Sequence, residues 1–177
     1  MSLIQLAEIY CSYILEYDND GPYYLGGWSY GGSLALEIIR ILMQKGKKIG
    51  GLYLIDTVNW SEVAKNKLAD LKLKNPSIKT NYNEEIILNY LPQKINCPTI
   101  LFKAIEIESK KNEEITERDI IINSHVVNQF KNGWNNIIDS FDIFNFNANH
   151  MSIMESPHLV KLVNIIEKDI LAKENFL

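Results

Sequence analysis

Gly27-Trp28-Ser29-Tyr30-Gly31 stands where the chain changes periodicity, and that junction constrains the fold more than any other feature. Ahead of it, Tyr23-Tyr24-Leu25-Gly26 is a short β-prone run entered through the turn formers Asp18-Asn19-Asp20-Gly21-Pro22. Behind it, Ala35, Ile38, Ile39, Leu42 and Met43 recur on one helical stripe, closed by Lys45, Lys47, Lys48 and a C′ glycine, Gly46. A strand that turns straight into a helix around G-x-S-x-G is a nucleophile elbow. Glycines two residues either side of the serine let the chain turn sharply and leave the hydroxyl exposed. Ser29 then stands at a helix N-terminus. There the Tyr30 N–H and the helix dipole face the negative charge that develops on an attacked carbonyl, which is one half of an oxyanion hole. Three fixed letters in five arise often by chance, so the strand-turn-helix setting carries the assignment. Gly26 and Gly32 complete neither a dinucleotide fingerprint nor a P-loop.

The remaining segments continue the alternation. Leu3, Leu6, Ala7, Tyr10, Cys11, Ile14 and Tyr17 predict a helix over Leu3–Tyr17. Gly51-Leu52-Tyr53-Leu54-Ile55-Asp56 is an apolar run ended by an acid, the pattern of a parallel strand buried on both faces. From Asn59 to Gln93 the chain is polar, with weakly amphipathic stretches at Val63–Leu73 and Glu84–Leu91 on either side of Asn75-Pro76, and reads as a mobile lid. Pro98–Ala104 is a second buried strand. Glu117–Gly133, with Ile121, Val126, Val127 and Phe130, reads as a helix, and Phe141–Phe146 alternates as a strand does. Ser156-Pro157 supplies an N-cap and N1 pair for a last helix facing inward with Leu159, Leu162, Val163, Ile166 and Ile170. The expected fold is α/β, one domain with a parallel sheet and helices on both faces.

A serine hydroxyl attacks only when a base takes its proton, and an acid must fix that base's tautomer. Of the three histidines, His125 falls inside a predicted helix and His158 in the first turn of another. His150 follows the last strand in the loop Asn147-Ala148-Asn149-His150-Met151, where groups at the carboxyl ends of parallel strands converge. The order serine, acid, histidine is the hydrolase order. Asp56 ends the strand after the nucleophile helix, whereas Glu106 and Glu108 follow the next strand, and either place can supply the acid.

Other classes fit poorly. A net charge of −4 with both signs interleaved gives no basic stripe for nucleic acid. Cys11 and Cys97 stand far apart without metal-ligand spacing, so buried thiols are expected rather than a disulfide framework or zinc site. The longest apolar runs are strand-sized, which argues against a membrane span or secretory leader and for the cytoplasm.

The stretch Gly21–Gly32, continuing through Ala35, Leu36 and Glu37 to Leu54-Ile55-Asp56, resembles the thioesterase domains that end nonribosomal peptide and polyketide synthase lines. The resemblance extends from the first helix to the last, and Trp134 and the His150-Met151 loop share in it. It implies an α/β-hydrolase fold and an acyl-serine mechanism, with Ser29 as nucleophile, His150 as base, Asp56 as acid and the Tyr30 N–H on the oxyanion. The implied activity is hydrolysis or cyclising release of an acyl or peptidyl chain from a carrier protein's phosphopantetheine thioester, without metal or bound cofactor. In the type I members the acid sits where Asp56 is; in stand-alone editing thioesterases it sits one strand later, where Glu106 is the candidate. Asn147, Ala148 and Asn149 replace the family's Gly-Asp or Gly-x before the histidine. In that fold the nucleophile follows the fifth strand, yet 28 residues precede Ser29. The first four strands and the loop bearing the second oxyanion donor are therefore expected to be absent. The chain alone is accordingly expected to be weakly active and to self-associate through an exposed sheet edge. A carboxylesterase is the rival enzyme, and a non-catalytic remnant that binds a carrier domain or partner chain is the rival from another class.

Overall fold

The computed structural model describes residues 1–63, 90–107, 126–129 and 131–175. Its elements in chain order are α1 (Leu3–Tyr17), β1 (Tyr23–Trp28), α2 (Tyr30–Gln44), β2 (Ile49–Ile55), a short α3 (Trp60–Val63), β3 (Thr99–Ala104), β4 (Asp142–Phe146) and α4 (His158–Glu174). The strands form one sheet in the order β1-β2-β3-β4, every pair parallel. All four carboxyl ends therefore lie on one side, and the loops that leave them share one rim. Among the described residues β1 has a strand neighbour on one side only.

Each face of the sheet carries its own apolar layer. On one, Ala35, Leu36 and Ile39 of α2 pack on Leu52, Leu54 and Leu101, with Trp134 and Ile138 completing the layer. Outside α2 lies α1, whose Ala7 and Cys11 meet Tyr23, Ile38, Ile41 and Leu42. Helix α2 is thus covered from two sides, which explains an apolar surface broader than one stripe. At about 1.5–3 kcal/mol for each fully buried aliphatic or aromatic side chain, this layer is a large part of what holds the elbow in place. On the other face, Leu162 of α4, supported by Ile165, Ile166 and Ile170, packs on Tyr53, Ile55, Ile100, Phe102 and Phe146. The expected α/β architecture with helices on both faces is what the chain builds.

Three local expectations need correction. In α1 the inward stripe is Leu3, Ala7 and Cys11; Tyr10 and Tyr17 face solvent, the latter 94% exposed, because only a narrow stripe meets α2. A capping box between Ser2 and Gln5, which the apolar pattern does not reveal, starts this helix. In α4 the inward face is rotated toward Leu162, Ile165 and Ile166, while Leu159 and Val163 are exposed. The rotation brings Asp169 onto the inner side, where its carboxylate accepts hydrogen bonds from Tyr53 Oη (2.8 Å) and Lys173 Nζ (2.5 Å). Burial, and then Asp169, push the Tyr53 phenol well above the usual tyrosine range. Pro157 rather than Ser156 holds the N-cap of α4, and no side chain caps there.

The expected helix over 117–133 is confined among the described residues to 126–128, because a turn takes over at 131–133, with Asn132 (φ 47°) and Gly133 (φ 81°) both left-handed. The lid expected over 59–93 lies mostly outside the described residues, at 64–89. At its near end is α3. At its far end Tyr90 donates a hydrogen bond to Glu37 Oε2 (2.9 Å), a buried carboxylate of α2 that also accepts from Arg40 Nε (2.8 Å). Cys11 and Cys97 are both free and buried. Among the described residues no helix is long and apolar enough to cross a membrane.

Candidate active site

The elbow is built from close backbone approaches. A Cβ on Gly27 would lie 2.1 Å from the Gly31 carbonyl, so a side chain there would collide with the first turn of α2. A Cβ on Gly32 would lie 1.9 Å from Thr57 Oγ1, in the loop that leaves β2. At Gly31 nothing stands within 4 Å, so the tight second approach is at Gly32 rather than at the motif's own last glycine. Between them Ser29 adopts φ 55°, ψ −123°, a conformation that costs a non-glycine residue on the order of 1–3 kcal/mol and persists where the surroundings enforce it. The Ser29 N–H donates to Ile55 O (2.9 Å), continuing the β1–β2 ladder one residue past the strand. Its side chain makes no cap hydrogen bond to α2. Tyr30 is the first residue of that helix.

Asp56 follows β2 directly and is also left-handed (φ 42°). Its N–H donates to Phe102 O (2.7 Å), and its Oδ1 accepts from the Ala104 N–H (3.1 Å), so both its backbone and its carboxylate are pinned to β3. The remaining oxygen, Oδ2, lies 2.7 Å from His150 Nδ1. His150 Nε2 in turn lies 3.0 Å from Ser29 Oγ. Asp56 is buried (6% exposed), whereas the His150 side chain is 36% exposed at the rim. These distances make a continuous hydrogen-bonded chain, an arrangement in which a carboxylate can select the Nδ1–H tautomer of a histidine and leave Nε2 to accept a serine proton.

The loop carrying His150 is shaped without glycine. Asn149 Oδ1 accepts from the Met151 and Ser152 N–H groups (3.0 and 2.9 Å), and the Asn149 N–H donates to Ser152 Oγ (3.0 Å). Asparagine thus supplies by its side chain the turn that a glycine would supply by its backbone.

Glu106 is exposed on the cleft wall and its N–H donates to Ala148 O (2.9 Å). The carboxylate bonded to His150 is that of Asp56. His158 lies in the first turn of α4, its ring edge-on to Phe146 at 6.2 Å. Glu108 and His125 lie outside the described residues. The cleft above Ser29, Asp56 and His150 is walled by Val58, Trp60, Ala104, Glu106, Val126 and Val127, a mainly apolar wall in which Glu106 is the charged member.

Several supports were not legible in the sequence. The Trp134 indole N–H donates to Thr57 O (2.9 Å), and Asn59 Nδ2 donates to Gly133 O (3.0 Å), which ties the loop after Asp56 to the 131–134 turn. Lys103, almost fully buried in β3, donates through Nζ to the Val126 and Gln129 carbonyls and so holds the wall that carries Val126 and Val127; burial lowers its pKa. Trp28 stacks on the His150 ring, centroids 5.0 Å apart at 27°, and its indole N–H donates to His150 O (3.1 Å). A lysine inside an otherwise apolar strand was the one sequence signal among these; the other contacts join segments too far apart for any local pattern.

Known proteins resemble this chain in sequence and in fold. The thioesterase-domain family model matches residues 1–87. Over 110 residues, 59% of this chain, the sequence is 33% identical to enterobactin synthase component F of Escherichia coli (strain K12), covering 8% of that protein. Over 55 residues, 31% of this chain, it is 44% identical to the non-reducing polyketide synthase stmB of Aspergillus ustus, covering 3% of it. The chain therefore spans only a small part of the length of these curated relatives. Among solved structures, the NocB thioesterase domain from the nocardicin cluster has a TM-score of 0.66 at 19% identity, covering 96% of this chain and 74% of that one. A second NocB structure is a covalent complex with a fluorophosphonate nocardicin G analogue. BorB, a type II thioesterase from the borrelidin cluster, has a TM-score of 0.61 at 19% identity, covering 96% of this chain and 70% of that one. At such identities the likeness is one of fold, shared by a thioesterase domain and a type II thioesterase.

Proposed function

We propose that this chain, similar over residues 1–87 to the thioesterase-domain family model and in fold to solved thioesterase domains, releases an acyl or peptidyl chain from a carrier protein's phosphopantetheine thioester through an acyl-Ser29 intermediate. The observation that carries the proposal is the Ser29 Oγ, His150 Nε2 and His150 Nδ1, Asp56 Oδ2 sequence at 3.0 and 2.7 Å on the carboxyl rim of the sheet. Ser29 Oγ attacks the thioester carbon while its proton passes to His150 Nε2. Asp56 stabilises the imidazolium that forms, without taking its proton. The oxyanion faces the start of α2, where the Tyr30 N–H and the helix dipole oppose its charge. Collapse of the tetrahedral adduct breaks the C–S bond, and the leaving sulfur takes the proton back from His150. Water, or a nucleophile within the bound chain, then attacks the acyl-serine with His150 again as base, giving the free acid or a cyclic product. Val58, Val126 and Val127 would contact the acyl chain, and the partner would be the carrier protein in the cytoplasm.

The test is turnover of one acyl group presented as a carrier-protein thioester, as a pantetheine thioester and as an oxygen ester. Faster release from the carrier thioester than from the oxygen ester is expected. Preference for the oxygen ester would make the chain a carboxylesterase, and carrier binding without any turnover would make it a binding module.

A further inference from the structure

We infer that Trp28 is a positioning residue for the base: its indole clamps His150 from the face and from the backbone, and it stabilises the imidazolium that forms when Ser29 gives up its proton. The inference rests on the catalytic reading above and extends it to a residue of the elbow that G-x-S-x-G leaves unspecified.

Among the described residues the hydrogen bonds on the His150 ring run to Asp56 and Ser29, and both lie at its edges. His150 stands 121 positions from Ser29, at the rim, with its side chain 36% exposed. Asp56 fixes one edge of the imidazole through Nδ1 and leaves the ring plane to be set by something else. Trp28 supplies two independent contacts. The indole lies nearly parallel to the imidazole (5.0 Å, 27°), and the indole N–H bonds the carbonyl of the same histidine (3.1 Å). Because Trp28 directly precedes Ser29, the residue that holds the base is rigidly coupled to the residue that presents the nucleophile. The Ser29–His150 separation is thereby set within the elbow rather than across two loops.

The stack also has an electrostatic consequence. The negative π-face of an indole attracts a cation within about 6 Å of its centroid. Among the described residues Asp56 contacts the imidazole directly, Glu106 shares the cleft wall with it, and Lys103 on β3 interacts with Asp56. Without the indole the imidazolium that forms during the attack loses this stabilisation.

Trp28→Leu and Trp28→Phe, assayed with the wild-type chain on a soluble acyl-pantetheine thioester, separate these roles. Trp28→Leu is expected to lower kcat roughly 10- to 100-fold with KM little changed, from loss of a hydrogen bond and a ring stack together. Trp28→Phe keeps the stack and loses the indole N–H, so it should recover most of the lost kcat. If Trp28→Leu does not fold by circular dichroism, Trp28→Met fills the space without a π-face and carries the same expectation. Wild-type kcat in the Leu or Met variant, or a fall in activity that Phe fails to rescue, overturns the inference. Wild-type chain that neither turns over the thioester nor labels at Ser29 with a fluorophosphonate overturns the catalytic reading itself, and this result is distinguishable from the former.

Discussion

Asp56 serves two strands at once, with its backbone and Oδ1 bonded to β3 and its Oδ2 left for His150. Asparagine tolerates left-handed backbone and keeps an oxygen for the Ala104 N–H, so Asp56→Asn preserves the loop while inverting the hydrogen bond that selects the tautomer. The substitution is expected to lower kcat by ~10⁴, the size of tautomer loss in serine hydrolases, with little loss of stability. Glu106→Gln should leave kcat largely unchanged, because Glu106 reaches the His150 loop through its backbone N–H alone. Steady-state rates of the two variants on one thioester decide the matter. A larger loss at Glu106 would make the editing-type placement of the acid the right one.

At the scale of elements, the start of α2, the end of β1 and the loop after β2 fit together through Gly27 and Gly32. Gly32→Ala would push its methyl into Thr57 and so displace the neighbouring Asp56, whereas Gly31→Ala meets open space. Loss of thioesterase turnover is therefore expected in Gly32→Ala and retention in Gly31→Ala, both read beside thermal melts. Equal behaviour of the two would show that Thr57 yields without moving Asp56. The sequence made the strand-turn-helix, both apolar strands and the three polar residues of the site legible, since each follows a strand end or interrupts a local period. It placed Leu162, Ile166 and Ile170 on the inward face of α4 but added Leu159 and Val163, which satisfy the helical period as well as Ile165 does. The tertiary bond from Tyr53 to Asp169 chooses between them. The clamp from Trp28 to His150 and the anchors from Trp134 and Asn59 were hidden for the same reason: each joins residues at least 74 positions apart.

At the scale of the molecule, the four parallel strands among the described residues deliver Ser29, Asp56, Glu106 and His150 to one rim in the order β1, β2, β3, β4. The site is therefore a product of topology, with α2 and α4 holding the sheet from either face. The most direct test is covalent. The 177-residue chain is incubated with an acyl-pantetheine thioester, quenched, and read by intact mass and peptide mapping beside Ser29→Ala. One acyl adduct mapping to Ser29 in the wild type and none in Ser29→Ala is the expected result; an adduct that persists in Ser29→Ala, or that maps to Cys11, Cys97 or another residue, would contradict the assignment of Ser29 as the nucleophile.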